Sequence, residues 1–304
     1  METKLTNLVD KALSRRNFLV GSGTVAAAAV LVGCGDSTST TTPVTPPATT
    51  LTDADYLNFA LNLEYLEAEF YLRAATGNGL SSTDAGSGAG TVTGGAQVQF
   101  ATSAYANYAN MIAQDELNHV RLLRAALGSS AVARPNIDLT AGFNAVASAA
   151  GIGSTFNAFA DENSFLVGAF AFEDVGVTAY TGAAALLTSV ANLSAAAGIQ
   201  AVEAYHAGII RTIIAGAASV SGASQTYLTA ANQISVLRGT LGGGNETTLS
   251  INSIVAASSA NAIAFARTTD EVLHIVYGAA PAAGVKSGAF FPNGLNGNIS
   301  VTAS

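Results

Sequence analysis

The apolar positions of this chain run in long blocks broken by clusters of Gly, Ser and Pro, and they never alternate with polar ones for long enough to make a sheet. A first helix is predicted over roughly 53–76. Thr52 is its N-cap, Asp53 and Asp55 lie in its first turn, and Gly77 stops it. Residues 77–95, GNGLSSTDAGSGAGTVTGG, form an unusually long Gly-Ser loop that either covers part of a bundle or is mobile. A second helix runs over roughly 96–127 and ends at Gly128. Pro135 breaks the connection that follows, which holds a short helical piece at 140–150. A third helix spans roughly 161–188 and a fourth roughly 192–218, joined at Ser189–Asn192. Shorter helices are expected at 224–240 and 250–265, before a tail rich in Pro and Gly turns. The fold class is therefore all-α: a four-helix bundle over about 53–218 with an appended C-terminal helical part over about 219–304.

Two of these helices carry the same short pattern. Glu116-Leu117-Asn118-His119 and Glu203-Ala204-Tyr205-His206 are both E-x-x-H, in a chain with only 3 histidines. Residues three apart share a helix face, so each pair can aim a carboxylate and an imidazole at one metal ion. Glu64 and Glu173, on the first and third helices, each precede a tyrosine by seven residues, Tyr71 and Tyr180. Seven residues is about two turns, which puts each Glu and its Tyr on one stripe. Arg124 and Arg211 each follow a motif histidine by five residues. The second half of the bundle thus repeats the first at the positions that can do chemistry. Glu67 competes with Glu64 for the ligand position, and the tyrosine spacing shared with Glu173 favours Glu64. Glu69 lies well round the helix, exposed or paired with Arg73. Asp115 and Asp174 adjoin ligands and face elsewhere. His274 also follows a glutamate, Glu271, by three, but Thr268-x-x-Glu271 reads as a capping box.

Composition sharpens this reading. Hydrophobic residues make up 49% and charged ones 11% of the 304, and Trp is absent. Glu203 is the sole acidic residue between Asp174 and Glu246, so it does not belong to a solvated charged face. Leaving out Lys4, Lys11, Arg15 and Arg16 with Glu2 and Asp10 leaves 8 basic and 18 acidic residues, a net charge of −10. With Lys286 the one lysine left, no basic stripe exists to neutralise phosphates, and nucleic-acid binding is excluded as a function class.

The first 34 residues read as an address. Arg15-Arg16 followed by Asn17-Phe18-Leu19-Val20 and a mildly apolar run to Gly33 have the form of a twin-arginine export signal. Leu31-Val32-Gly33-Cys34 resembles a bacterial lipobox, which implies lipidation of Cys34, the one cysteine of the chain. Residues 35–51, rich in Thr, Ser and Pro, would tether a domain spanning 52–304. The expected location is exported, periplasmic or at the cell envelope, with the twin-arginine machinery and the membrane as partners. Such a route suits proteins that fold, and take up metal, before export.

NFALNLEYLEAEFYLRAATG (58–77), DELNHVRLLRAALG (115–128) and RTTDEVLHIVYG (267–278) followed by FFPNGLNG (290–297) resemble the ferritin-like superfamily, in the branch of desiccation-related and stress proteins. The resemblance covers nearly everything after residue 52. It implies that Glu64 and Glu173 are terminal carboxylate ligands of a dinuclear Fe or Mn centre. Glu116 and Glu203 would bridge the two ions, and His119 and His206 would each cap one. Tyr71 and Tyr180 would stand behind the ligands. Four carboxylates offset the charge of two divalent ions in a low-dielectric core. The implied activities are oxidase, ferroxidase or peroxide removal, with O2 or peroxide as substrate. The alternative is a non-catalytic envelope or desiccation-stress protein that uses the bundle as a structure. A closed iron-storage shell is disfavoured, because the tether, the long loop and the C-terminal part obstruct a cage.

Overall fold

A computed structural model describes residues 50–304, so Arg15, Arg16, Cys34 and linker residues 35–49 lie outside the described residues. Leu51–Ser304 forms one unit, and all-α architecture dominates it. Its helices are α1 (Asp53–Thr76), α2 (Ser82–Ala85), α3 (Ser103–Leu127), α4 (Leu139–Ala150), α5 (Glu162–Ala184), α6 (Val190–Ala218), α7 (Thr226–Leu241) and α8 (Thr269–Tyr277). α1 packs along α3 and α5 along α6, and the two pairs face each other to make the bundle. α7 and α8 lie against α5, and α4 packs on α7 and reaches α5 through Phe143 against Phe172, so that the three close one flank.

Burial divides the four long helices into two kinds. From Leu57 to Tyr71 every residue of α1 is buried, and so is every residue of α5 from Ser164 to Tyr180. These two helices are buried all round, polar Asn58, Asn62, Glu64, Glu67 and Glu69 included, and they form the centre. α3 and α6 bury one face each and leave the other to solvent. The helices that carry Glu64 and Glu173 are therefore the inner pair and the two E-x-x-H helices the outer pair. Phe70, Phe143, Phe165, Phe172 and Phe290 pack edge-on and stacked around α1 and α5, fastening α4 and the tail to the bundle.

The helix ends follow local chemistry. Thr52 and Asp55 form a capping box at the start of α1. Gly77 ends the helix at φ 80°, a left-handed conformation that a side chain resists. Thr268 and Glu271 form the same box at α8.

Three expectations are corrected, and of the two forms expected for the 77–95 loop the structure takes the first. α3 begins at Ser103, not near 96, because Val98 N–H bonds to the Ala74 carbonyl and pins the preceding segment to the end of α1. The Glu162 carboxylate then accepts from Thr102 N–H at 2.7 Å, where the helix starts. α5 ends at Ala184, four residues short of the expected 188, where the Asp53 carboxylate accepts from Thr188 and Ser189 N–H and draws the joint to the start of α1. Residues 250–265 are not helical. Ser258 and Asn261 bond to nearby backbone N–H groups, Ala262 adopts φ 58°, and the Ile254 carbonyl accepts from the buried Arg211 side chain. The loop at 77–95 is ordered against the bundle. Asp84 pairs with Arg121 on α3, Gly90 N–H bonds to the Arg134 carbonyl, and Val92–Thr93 (β1) pairs in parallel with Ile137–Asp138 (β2). Two residues per strand is the full extent of that sheet.

Candidate metal centre

Glu64, Glu116, Glu173, Glu203, His119 and His206 meet in the middle of the bundle, all buried. Their ligating atoms fall into two groups, each within 4.8 Å: Glu64, Glu116, His119 and Glu203 in one, and Glu116, Glu173 and His206 in the other. Glu116 belongs to both. Its Oε2 lies 3.2 Å from His119 Nδ1 and its Oε1 lies 3.0 Å from His206 Nδ1. Glu64 Oε2 stands 3.3 Å from His119 Nδ1, and Glu173 Oε2 stands 3.5 Å from His206 Nδ1. Glu203 Oε1 lies 3.4 Å from His119 Nδ1, so among the described residues it sides with the first group.

The tyrosines cross over. Tyr71, on α1, donates its hydroxyl to Glu173 on α5, and Tyr180, on α5, donates to Glu64 on α1. Each inner helix thus holds the other's glutamate, which leaves one oxygen of each carboxylate free to face the centre. Those free atoms are without hydrogen-bond partners: Glu64 Oε2, Glu116 Oε1, Glu173 Oε2, both oxygens of Glu203 and His206 Nδ1. Orphaned buried acceptors are expensive unless something else satisfies them. A converging set of hard oxygens and imidazole nitrogens fits a pair of transition-metal cations.

Electrostatics point the same way. Burial pushes the Glu64 carboxyl up to about 7, against the pull of His119. Burial and the neighbouring carboxylates push Glu203 well above the usual range, and burial raises Glu173 despite His206. Burial works against ionised Glu116 too, but His119 and His206 outweigh it and hold this carboxyl low. Burial also opposes charge on the two imidazoles, yet Glu64 and Glu173 together with Glu116 raise both. Without cations the cluster retains protons; two divalent ions would take their place.

The surroundings complete the picture. Asp115, half-buried, faces His206 Nε2 at 3.2 Å, on the side of the ring away from the cluster. Asp174 is buried and takes Arg211 at 2.8 Å and Arg238 at 2.7 Å. Arg238 and Arg267 both reach Glu246, which ties α5, α6, α7 and the segment before α8 together. Arg124 meets Tyr65 rather than a carboxylate. Glu69 is buried, not exposed, and is held by Arg73, Arg134 and Leu80 N–H. His274 stands apart from the cluster, with Nε2 against the Ser304 carbonyl at 2.8 Å. Sequence reading missed the parts played by Arg238, Arg267 and Glu246, which no local spacing announces. It put each tyrosine on one stripe with the glutamate of its own helix and did not say which glutamate each hydroxyl meets.

Comparison with known proteins places this geometry. A family model for the ferritin-like domain matches residues 52–216, the span that carries all six cluster residues. The desiccation-related protein PCC13-62 of Craterostigma plantagineum is 31% identical over 244 residues, covering 73% of this chain and 76% of that protein. The ferritin-like catalase Nec2 of Nesocodon mauritianus is 29% identical over 273 residues, covering 81% of this chain and 84% of that protein.

Proposed function

The chain belongs to the ferritin-like domain family, and from that premise we propose that it binds two iron or manganese ions and removes hydrogen peroxide. The observation that carries this reading is the convergence of four carboxylates and two imidazoles whose inward atoms have no other partner. Glu64, Glu116, Glu203 and His119 would hold one ion, and Glu116, Glu173 and His206 the other. When bound, such a pair supplies two electrons at a time. In disproportionation one peroxide is oxidised to O2, giving up two electrons and two protons, and a second takes them up and becomes two waters.

The protein's own contribution is positional. Tyr71 and Tyr180 lock the terminal glutamates in one orientation, and Asp115 fixes the ring of His206. The relative named a ferritin-like catalase supports peroxide as substrate.

The same proposal includes export through the twin-arginine route and anchoring by lipid at Cys34, which rest on the leader sequence alone. The relative named a desiccation-related protein favours a second reading, in which bound metal only staples the bundle.

One experiment separates these readings. The domain from residue 51 onward is purified without added metal, and its metal is measured by elemental mass spectrometry beside Glu203→Ala. Peroxide-dependent O2 release is followed on an oxygen electrode. About two Fe or Mn per chain with O2 release, both lost in the variant, supports peroxide removal. Stoichiometric metal without O2 release supports the staple.

A further inference from the structure

Among the described residues, one core carboxylate has neither a place in the cluster nor, unlike Glu69 and Asp174, an arginine to pair with. Glu67 is only 5% exposed, and among the described residues burial and the repulsion of four other glutamates act on it with no hydrogen bond to relieve them. On one side it approaches the centre across Gly176. A side chain at 176 would run into Glu203 Oε2 and come within 3.5 Å of Glu67 Oε1. On the other side Glu67 lines a cavity of about 40 Å³ between α1, α4, α5, α7 and α8. The walls are Leu66, Phe172, Val175, Ile234 and similar apolar side chains. The other charged residue of the lining, Arg238, is already bonded to Asp174, Glu246 and the Phe170 carbonyl. The outer end of the cavity shares Ala149 and Leu237 with an open groove between α4 and α7, which is lined by Asn232 and Gln233.

We propose that this cavity is the access chamber for hydrogen peroxide, and that Glu67 is the positioning residue that receives it beside the metal centre. The inference rests on the peroxide-removing reading above. Apolar walls reject hydrated ions, and a space of this size admits only molecules of a few atoms. The lone carboxyl calls for a guest that both donates and accepts hydrogen bonds. Dioxygen does neither well and would leave Glu67 unpartnered. Hydrogen peroxide is neutral, small, and carries an O–H donor and an acceptor at each end. Glu67 then holds one end of the guest in reach of the gap at Gly176, where the unpartnered Glu203 oxygen marks the edge of the centre.

The test uses metal-loaded wild type, Ala145→Leu, Glu67→Leu and Glu67→Gln, with metal content and melting curves measured for each. Ala145 is half-buried on α4 and faces the cavity, so leucine there fills it. Xenon, a probe for small apolar cavities, is diffused into crystals under pressure. Xenon is expected in the wild-type cavity and not in Ala145→Leu. At unchanged metal content, Ala145→Leu and Glu67→Leu are expected to lose about tenfold in kcat/KM for peroxide, the latter through KM, while Glu67→Gln stays within about threefold of wild type. Should Ala145→Leu fail to fold, Ala149→Leu at the exposed outer end makes the same test. Wild-type activity matched by folded Ala145→Leu and Glu67→Leu overturns the access chamber alone, as does a wild-type cavity that takes no xenon. A wild type that holds two ions and xenon but consumes no peroxide overturns the functional reading, and peroxide as the guest with it.

Discussion

Removing metal from this protein should make its stability fall as pH rises from 5 to 7.5, and restoring metal should abolish the slope. The perturbation is chelation. The magnitude follows from Glu64, whose carboxyl is fully buried and raised from an ordinary 4.5 to about 7. Below pH 4.5 the folded and unfolded chains are both protonated there and Glu64 contributes nothing. Between 4.5 and 7 the unfolded chain ionises while the folded one holds its proton, so each step up in pH favours unfolding. Above 7 both are ionised, and the folded state has lost about 3 kcal/mol from this group. Glu67, Glu173 and Glu203 are raised as well and act in the same direction. His119 and His206, raised above their unfolded value of 6.5, stabilise the folded state below that value and lose this contribution as pH climbs through the folded one. Glu116 is held low, so its favourable contribution is complete above pH 4.5 and adds no slope in this window.

For a domain of this length, about 3 kcal/mol is roughly a 10 °C fall in Tm. The assay is differential scanning calorimetry of chelated protein at pH 5, 6, 7 and 7.5 in one ionic strength, repeated with Mn(II) or Fe(II) under anaerobic conditions. Bound cations compete with those protons, so the loaded protein should gain stability with metal concentration and show its largest gain at the highest pH. A chelated protein whose Tm is flat or rises from pH 5 to 7.5 refutes the reasoning, because the inward carboxylates would then be ionised at no cost.

Four further outcomes follow from the same contacts. Tyr180→Phe removes the hydroxyl that holds Glu64 and should cost about 1–3 kcal/mol in denaturant unfolding of the metal-free domain, while metal stoichiometry is retained. Asp174→Ala strips Arg211 and Arg238 of a buried partner and should cost about 3–5 kcal/mol by the same measurement. Gly182→Ala places a methyl group against the Arg267 carbonyl, and a loss of about 1–3 kcal/mol is expected in urea titration. Glu203→Ala should bring metal content below two per chain, and full retention would remove Glu203 from the ligand set.

What the sequence makes legible, and what it hides, divides by range. The helices with uniform burial or clear caps read well. Thr52, Gly77, Thr268 and Glu271 sit where local rules put them. Glu64, Glu116, His119, Glu173, Glu203 and His206 are brought together; the i, i+3 step nominated the two Glu–His pairs, and the seven-residue step to a tyrosine nominated Glu173 and favoured Glu64 over Glu67. The failures lie where a distant group decides the backbone. The start of α3 is set by Ala74 and Glu162, and residues 250–265 give up helix for Arg211 and for their own Ser and Asn side chains. Buried Arg267 and Arg238 read in sequence as ordinary surface charges, since nothing near them in the chain shows the Glu246 that receives them.

The tyrosine pattern shows how a repeat can fix a stripe without naming the partner that the stripe meets. Glu64 and Tyr71 do share a stripe of α1, but a side chain two turns away on its own helix is out of hydrogen-bonding reach. The stripe instead faces α5, which carries the same pattern in the opposite half, and each tyrosine meets the other helix's glutamate. The repeated pattern makes this exchange reciprocal, and each hydroxyl satisfies one oxygen of a buried carboxylate. The symmetry stops at the outer helices. Glu116 reaches both imidazoles, whereas Glu203 reaches His119 and turns its other oxygen to Gly176 and Glu67. Asp115 precedes Glu116 and backs His206, whereas the residue before Glu203 is Val202, which can back nothing with a hydrogen bond. The two halves of the centre therefore hold unequal sets, four side chains on the His119 side and three on the His206 side. A repeated helix pair supplies the six cluster residues, and single departures from the repeat give the two halves of the cluster different surroundings.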